Sequence, residues 1–210
     1  MERGLFISFE GPDGSGKSTQ IEYLKEYFLE REIACVFTRE PGGTHIGEEI
    51  REIILDKQNN DMTDLTEAFL YAASRSQHVE QVIQPALEAG KVVVCDRFVD
   101  SSIAYQGYAR GLGDLVEEIN RYATGNLLPD ITFFIDVDPK VGKRRISSGE
   151  RDRLESEKIR FHRKVYQGYI AMAEKDPDRI VTVDGSGTRE EMRDFIMEHL
   201  TVVLKERGML

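Results

Sequence analysis

The sequence is short of positive charge: 28 lysines and arginines face 38 aspartates and glutamates, a formal net charge of −10 over 210 residues. A chain with that balance lacks the strongly basic face on which duplex nucleic acid is held, so any anionic ligand must be met by local groups of cations. Cysteine is scarce as well. Cys35 and Cys95 are the whole complement, each inside an apolar run ("ACVF" and "VVVC"), and they read as buried free thiols suited to a reducing compartment. The opening "MERGLFISFEG" is apolar too briefly for a signal peptide or a spanning helix before it runs into a glycine-rich turn. A cytoplasmic protein with neither a membrane nor a nucleic-acid partner is expected. Internal repeats and low-complexity segments are missing too, and 40 % apolar with 31 % charged residues describes a globular chain. Its length accommodates a sizeable core, and residues 1–210 are read as a single domain.

What is present is a regular alternation of two patterns. The runs "LFISF" (5–9), "ACVF" (34–37), "VVVC" (92–95), "ITFFIDV" (131–137) and "IVTV" (180–183) are short, largely unalternating and β-branched, which predicts strands buried on both faces. Helical spacing separates them, with Ile21, Leu24 and Phe28 after the first strand and Met192, Phe195, Ile196, Leu200 and Val203 after the last. Thr188 and Glu191 form a capping box for that final helix, and Asp64 with Glu67 opens another that must kink or restart near Pro85. Strand following helix throughout predicts a three-layer α/β fold, a parallel five-stranded sheet with helices on both faces.

Gly11 to Ser18, "GPDGSGKS", matches G-x-x-x-x-G-K-[ST] between a predicted strand and a predicted helix. Gly11, Gly14 and Gly16 let backbone N–H groups converge on a phosphate, with Pro12, Asp13, Ser15 and Thr19 completing the turn and a helix N-terminus behind it. Lys17 can reach β- and γ-phosphates, and the Ser18 hydroxyl is placed to ligate Mg²⁺. No N-K-x-D guanine-reading motif occurs, and the chain is too short for a motor or transporter ATPase. A small phosphotransferase remains, and it needs an acceptor site.

Three further motifs fall near predicted strand ends: "TREPGGT" (38–44), "CDRF" (95–98) and "DSSIAYQGYARG" (100–111). Arg39, ahead of Pro41 and two glycines, and Arg97 are each delivered by a strand tip, where guanidinium forks can clamp a monophosphate; the plainer reading pairs them with Glu40 and Asp100. Asp96 ends an apolar strand, so it either holds Mg²⁺, directly or through water, or orients Arg97. Glu10 is read as an acceptor of local backbone or arginine hydrogen bonds.

With the phosphate turn, these motifs in this order resemble the thymidylate kinase family over nearly the whole chain. The resemblance implies a P-loop nucleoside monophosphate kinase fold, ATP and dTMP as substrates, Mg²⁺ as cofactor, and a homodimer. It also implies that Arg39, Arg51 and Arg97 hold the dTMP phosphate and that Asp13 accepts the sugar 3′-hydroxyl. Tyr105 crowds the 2′ position, Arg75 and Gln106 read the thymine edge beside Ser102, and Tyr71 stands where the family stacks phenylalanine on the base. Phe98 replaces the family's usual tyrosine or histidine.

A basic segment at about 142–155, with Lys143, Arg144, Arg145, Arg151 and Arg153 around "SSG", reads either as a lid over nucleotide phosphates or as a solvated helix face. Resemblance favours the lid. In that family the catalytic arginine sits either in the turn or in the lid, and with Gly14 in the turn the resemblance implies a lid arginine, best matched by Arg153, with Arg144, Arg145 and Arg151 as ATP-side helpers or substitutes. Catalysis is thus assigned to Lys17, Arg97 and Arg153. The alternatives are a kinase of another nucleoside monophosphate or deoxynucleoside, and a nucleotide-dependent switch.

Overall fold

The computed structural model describes residues 3–145 and 152–210. Its sheet contains β1 (Phe6–Glu10), β2 (Cys35–Arg39), β3 (Val92–Asp96), β4 (Ile131–Asp136) and β5 (Ile180–Asp184), all parallel in the order β2-β3-β1-β4-β5. Each predicted run is a strand. The central β1, β3 and β4 are buried almost throughout, as their unbroken apolar character requires. The edge strands β2 and β5 depart from the expectation of burial on both faces, because each has one neighbour and β2 is only half-buried along its length. Cys35 on β2 is accordingly half-buried, while Cys95 on β3 is buried; both thiols are free.

Side chains alternate across the pleat and build two helical layers. Ile7, Phe9, Val94, Phe133 and Ile135 pack on one face against Leu24 and Phe28 of α1 (Lys17–Glu30) and Ile196, Leu200 and Leu204 of α9 (Arg189–Glu206). Phe6, Val93 and Cys95 turn to the other face and meet Val79, Ile83 and Leu87, whereas Phe134 meets Val165 and Tyr169 of α8 (Ile159–Lys175). Burying each such side chain is worth about 2 kcal/mol, which is why the apolar runs, not local propensity, fix the sheet.

The remaining helices are α2 (His45–Leu55), α3 (Asp64–His78), α4 (Gln84–Glu88), α5 (Val99–Ser102), α6 (Leu115–Thr124) and α7 (Pro139–Arg145), with π-helical turns at Val79–Ile83 and Ile103–Ala109. Thr188 and Glu191 do form a capping box. α3 is capped by Thr63, one residue earlier than read, and Glu67 turns into the interior. The expected irregularity near Pro85 is the π-helical turn Val79–Ile83, which runs without a break into α4, where Pro85 stands beside the widened turn. Parallel register aligns Glu10, Arg39 and Asp96 at the carboxyl ends of β1, β2 and β3. This is the end of an open α/β sheet at which ligands bind.

Candidate active site

The phosphate turn joins β1 to α1, with Gly11, Gly14 and Gly16 at φ 137°, 75° and 109°. Gly14 is required for two reasons: its φ is left-handed, and a Cβ there would lie 2.3 Å from the Gly142 carbonyl oxygen of α7. Gly14→Ala is therefore expected to lower stability by about 1–3 kcal/mol and to push α7 off the turn, read as a fall in denaturation midpoint. Lys17 folds back over the turn, Nζ donating to the Gly11 and Pro12 carbonyls at 3.0 and 3.2 Å. Burial, then the Arg97 charge, bring its pKa down to about 8, against the pull of Asp96 and Asp13. Ser15 Oγ is buried with no hydrogen-bond partner among the described residues, and Ser18 is exposed at the start of α1.

Opposite the turn, two arginines converge on one carbonyl. Arg39 Nη1 and Arg51 Nη1 both donate to the Pro41 oxygen, at 3.1 and 2.9 Å, after a cis Glu40–Pro41 bond. Burial and the neighbouring Arg39 hold Arg51 below its ordinary pKa, the mark of a cation short of negative charge. Arg39 does pair with a carboxylate, but with Glu48 at 2.9 Å rather than with Glu40.

Arg97 sits at the tip of β3 in a left-handed conformation, φ 69°. Its Nη2 reaches Asp13 Oδ1 at 2.5 Å and its Nη1 reaches Ser101 and Tyr169 hydroxyls, both at 3.2 Å; Asp100 pairs instead with Arg179. Burial alone would raise the Asp13 carboxyl, yet Arg97 and Lys17 hold it below the usual carboxylate range. Tyr105 donates to the other Asp13 oxygen at 3.3 Å. Glu10 accepts from Phe98 N–H, Ser101 and Tyr169, and burial, with Asp100 nearby, lifts it to about 7. So Glu10 does take a backbone donor, together with two hydroxyls and no arginine.

Arg75 is fully buried and committed to Glu40, Ser102, Asn120 and the Phe98 carbonyl, with Phe98 beneath it. Glu40 also bonds His78, which bonds Thr38. A second hub forms on Glu67, which receives Gln106, Arg110 and Arg153. Arg153 thus lies away from the phosphate turn: Nη2 is 2.6 Å from Glu67, and Nε donates at 2.8 Å to Ile54 O in the last turn of α2, whose end carbonyls lack intrahelical donors. Arg144 is exposed and, among the described residues, bonds within α7 to Lys140 O; Arg151 lies outside the described residues.

A single cleft of about 800 Å³ joins the two sides. It is lined by Asp13 to Thr19, by Arg39, Arg51, Asp96 and Arg97, and by Tyr71, Ser102, Tyr105 and Gln106. Arg75, Arg144 and Arg153 do not line it; Arg145, Thr188, Arg189 and Met192 do. Sequence reading missed Glu67, Asn120, His78 and Tyr169, isolated polar residues in helical runs whose partners are distant in sequence. It could have found Thr188 and Arg189, since a capped helix starting after the last strand faces the ligand end of the sheet.

Asp96 Oδ1 is buried with no hydrogen-bond partner among the described residues, and Ser18 is an exposed hydroxyl residue of the turn. An oxygen-only donor pair of this kind fits a hard cation such as Mg²⁺.

Fold order, phosphate turn and arginine-lined far wall define a P-loop kinase of the nucleoside monophosphate type. The family model for thymidylate kinase matches residues 9–196. Thymidylate kinase of Lactobacillus helveticus (strain DPC 4571) is 51 % identical over 209 residues, 97 % of this chain and 99 % of its own. That of Bacillus velezensis (strain DSM 23117 / BGSC 10A6 / LMG 26770 / FZB42) is 46 % identical over 207 residues, 97 % and 98 % respectively. The crystal structure of thymidylate kinase from Ehrlichia chaffeensis superposes with a TM-score of 0.76 at 34 % identity, covering 94 % of this chain and 99 % of that one. The chain belongs to the thymidylate kinase family.

Proposed function

We propose that this protein transfers the γ-phosphoryl group of ATP to dTMP, giving dTDP and ADP. The observation that carries this reading is one cleft with an amide-lined turn at one end and Arg39, Arg51 and Arg97 at the other. Gly11 to Thr19 cradle the ATP phosphates, with Lys17 turned from the Gly11 and Pro12 carbonyls onto the β- and γ-groups. The acceptor phosphate takes the place that the Pro41 carbonyl holds between Arg39 and Arg51, and Arg97 meets it from the β3 tip. Asp13 takes the 3′-hydroxyl, Tyr105 lies beside the sugar, and Tyr71, Ser102 and Gln106 form the base end, with Arg75 behind them holding Ser102.

The nucleophile is a phosphate oxygen that is already anionic, so no strong general base is needed. Seating two phosphates end to end and neutralising the charge between them supplies the rate. Ser18 and Asp96 would hold Mg²⁺, which when bound screens the β- and γ-oxygens. Arg153 acts on the transferred group only after releasing Glu67, whereas Arg145 already lines the cleft; Arg144 and Arg151 are ATP-side helpers within the lid at about 142–155. The chain 1–210 works as one cytoplasmic domain and pairs as a homodimer. Ile46 and Ile53 on α2 and Leu65 and Phe69 on α3 are exposed apolar side chains on packed neighbours, a face suited to a second copy.

ADP release with ATP and a panel of monophosphates and deoxynucleosides tests the reading. dTMP is expected to give the highest kcat/KM; ATP hydrolysis indifferent to dTMP overturns it. A second check uses pH. Lys17 is charged below about 8 and loses its proton above it, so ATP affinity measured by calorimetry is expected to fall as pH rises through 8. In Lys17→Met the profile flattens.

A further inference from the structure

Gln106 lies on the π-helical turn Ile103–Ala109, lines the acceptor end of the cleft, and is 1 % exposed. The two ends of its amide are used differently. Nε2 donates to Glu67 Oε1 at 2.9 Å, whereas Oε1 is buried with no hydrogen-bond partner among the described residues. Which end faces which way is decided by chemistry: an ionised carboxylate accepts and cannot donate, so Glu67 draws the NH₂ toward itself and turns the carbonyl away.

Glu67 is held in its ionised form. It is 1 % exposed, its Oε1 receives Gln106 Nε2 and Arg110 Nε, and its Oε2 receives Arg110 Nη2 at 3.0 Å and Arg153 Nη2 at 2.6 Å. Burial would raise its pKa, but the Arg110 and Gln106 bonds keep it below the usual value. A buried carbonyl oxygen without a donor costs free energy that a ligand donor recovers.

We infer that Glu67 is a positioning residue that fixes Gln106 as a hydrogen-bond acceptor toward the acceptor base, so that the cleft selects pyrimidines carrying a ring N3–H, thymine or uracil, over cytosine. This rests on the reading of the cleft as a nucleoside monophosphate site. Thymine brings a donor at N3 to the carbonyl; cytosine brings a lone pair, leaving two acceptors facing each other in a buried place. Such a mismatch discriminates more strongly than a missing methyl group in an apolar pocket. The same carboxylate grips Arg153, so base selection and the segment after the lid share one anchor.

The test is the ratio of kcat/KM for dTMP to that for dCMP in wild type, Glu67→Gln and Gln106→Leu. A neutral glutamine at 67 offers Gln106 either a donor or an acceptor, so the amide is free to rotate. The ratio is expected to drop at least about tenfold in Glu67→Gln and in Gln106→Leu, with little further drop in the double variant. A merely structural role for Glu67 would unsettle Arg110 and Arg153, slow both acceptors in proportion, and leave the ratio where it was; that result overturns the inference. So does a wild type that does not prefer dTMP to dCMP. Should Glu67→Gln not fold, Glu67→Asp keeps the charge but shortens the reach to Gln106 and to both arginines, and an unchanged ratio there overturns the inference equally. A wild-type enzyme that releases no ADP with any monophosphate overturns the wider reading instead.

Discussion

Lys17→Ala is expected to lower kcat on the order of 10³-fold or more while leaving the fold intact. Both halves of that expectation come from the same geometry. Among the described residues Nζ hydrogen-bonds two backbone carbonyls and makes no ion pair, so the resting enzyme buries a positive charge that its neighbouring carboxylates only partly offset. Burial and Arg97 lower its pKa to about 8, which means the fold disfavours the charged form. Removing it should leave the melting temperature unchanged or slightly raised, because the unfolded chain binds that proton more tightly than the folded one. The loss appears only when a polyanion enters, since the triphosphate is what the ammonium was buried to meet. A kinetic and melting comparison of the two proteins checks both halves; normal turnover, or collapse of the fold, would remove Lys17 from the role.

Arg97→Ala is expected to lower kcat/KM for dTMP by about 10³-fold while changing ATP affinity far less. Arg97 touches Asp13, Ser101 and Tyr169, and the latter two hold Glu10. Its loss leaves Asp13 facing an incoming phosphate with like charge, so the acceptor is repelled as well as ungripped. Arg97→Lys should not restore activity, because one ammonium cannot span Asp13 and the two hydroxyls as a fork does. Stability adds an independent check. A non-glycine residue at φ 69° is strained by about 1 kcal/mol, so Arg97→Gly should melt higher than Arg97→Ala. Initial rates at varied dTMP, ATP titrations and melting curves for the three variants read these effects.

Much of this was legible in the sequence where one short segment carries both signal and function. Apolar runs marked all the strands, and most plainly the central ones, since only strands covered on both faces tolerate Val92 to Cys95 or Phe133 to Ile135 without a polar break. "GPDGSGKS" marked the turn because glycine at left-handed positions, lysine and serine each have one physical purpose there. Arg39 and Arg97 could be placed because a residue just past a buried strand has nowhere to go but the ligand end of the sheet.

What stayed hidden are partnerships across sequence distance. Nothing in "TDLTEAFLY" says that Glu67 turns inward, because on helical spacing it is one acid among several, and its burial depends on three donors from 39 to 86 residues away. Arg75 reads as a base-contacting arginine until its donors are counted; four of them are taken by Glu40, Ser102, Asn120 and Phe98. Arg153 was read from motif order as facing ATP, whereas the open end of α2 and the Glu67 carboxylate hold it elsewhere. Gly14 was read as a missing arginine; its reason here is the close approach of Gly142.

The central claim is that one cleft seats two polyanions end to end, and a bisubstrate probe tests it most directly. An adenosine and a thymidine joined 5′ to 5′ by an oligophosphate should bind one per chain, displace both ATP and dTMP, and exceed either in affinity by about 10²-fold or more. Lys17→Ala and Arg97→Ala should each weaken it severely, the former sparing dTMP binding and the latter sparing ATP. Calorimetry in which the probe displaces ATP but leaves dTMP bound, or in which Arg97→Ala binds it as tightly as wild type, would contradict the arrangement.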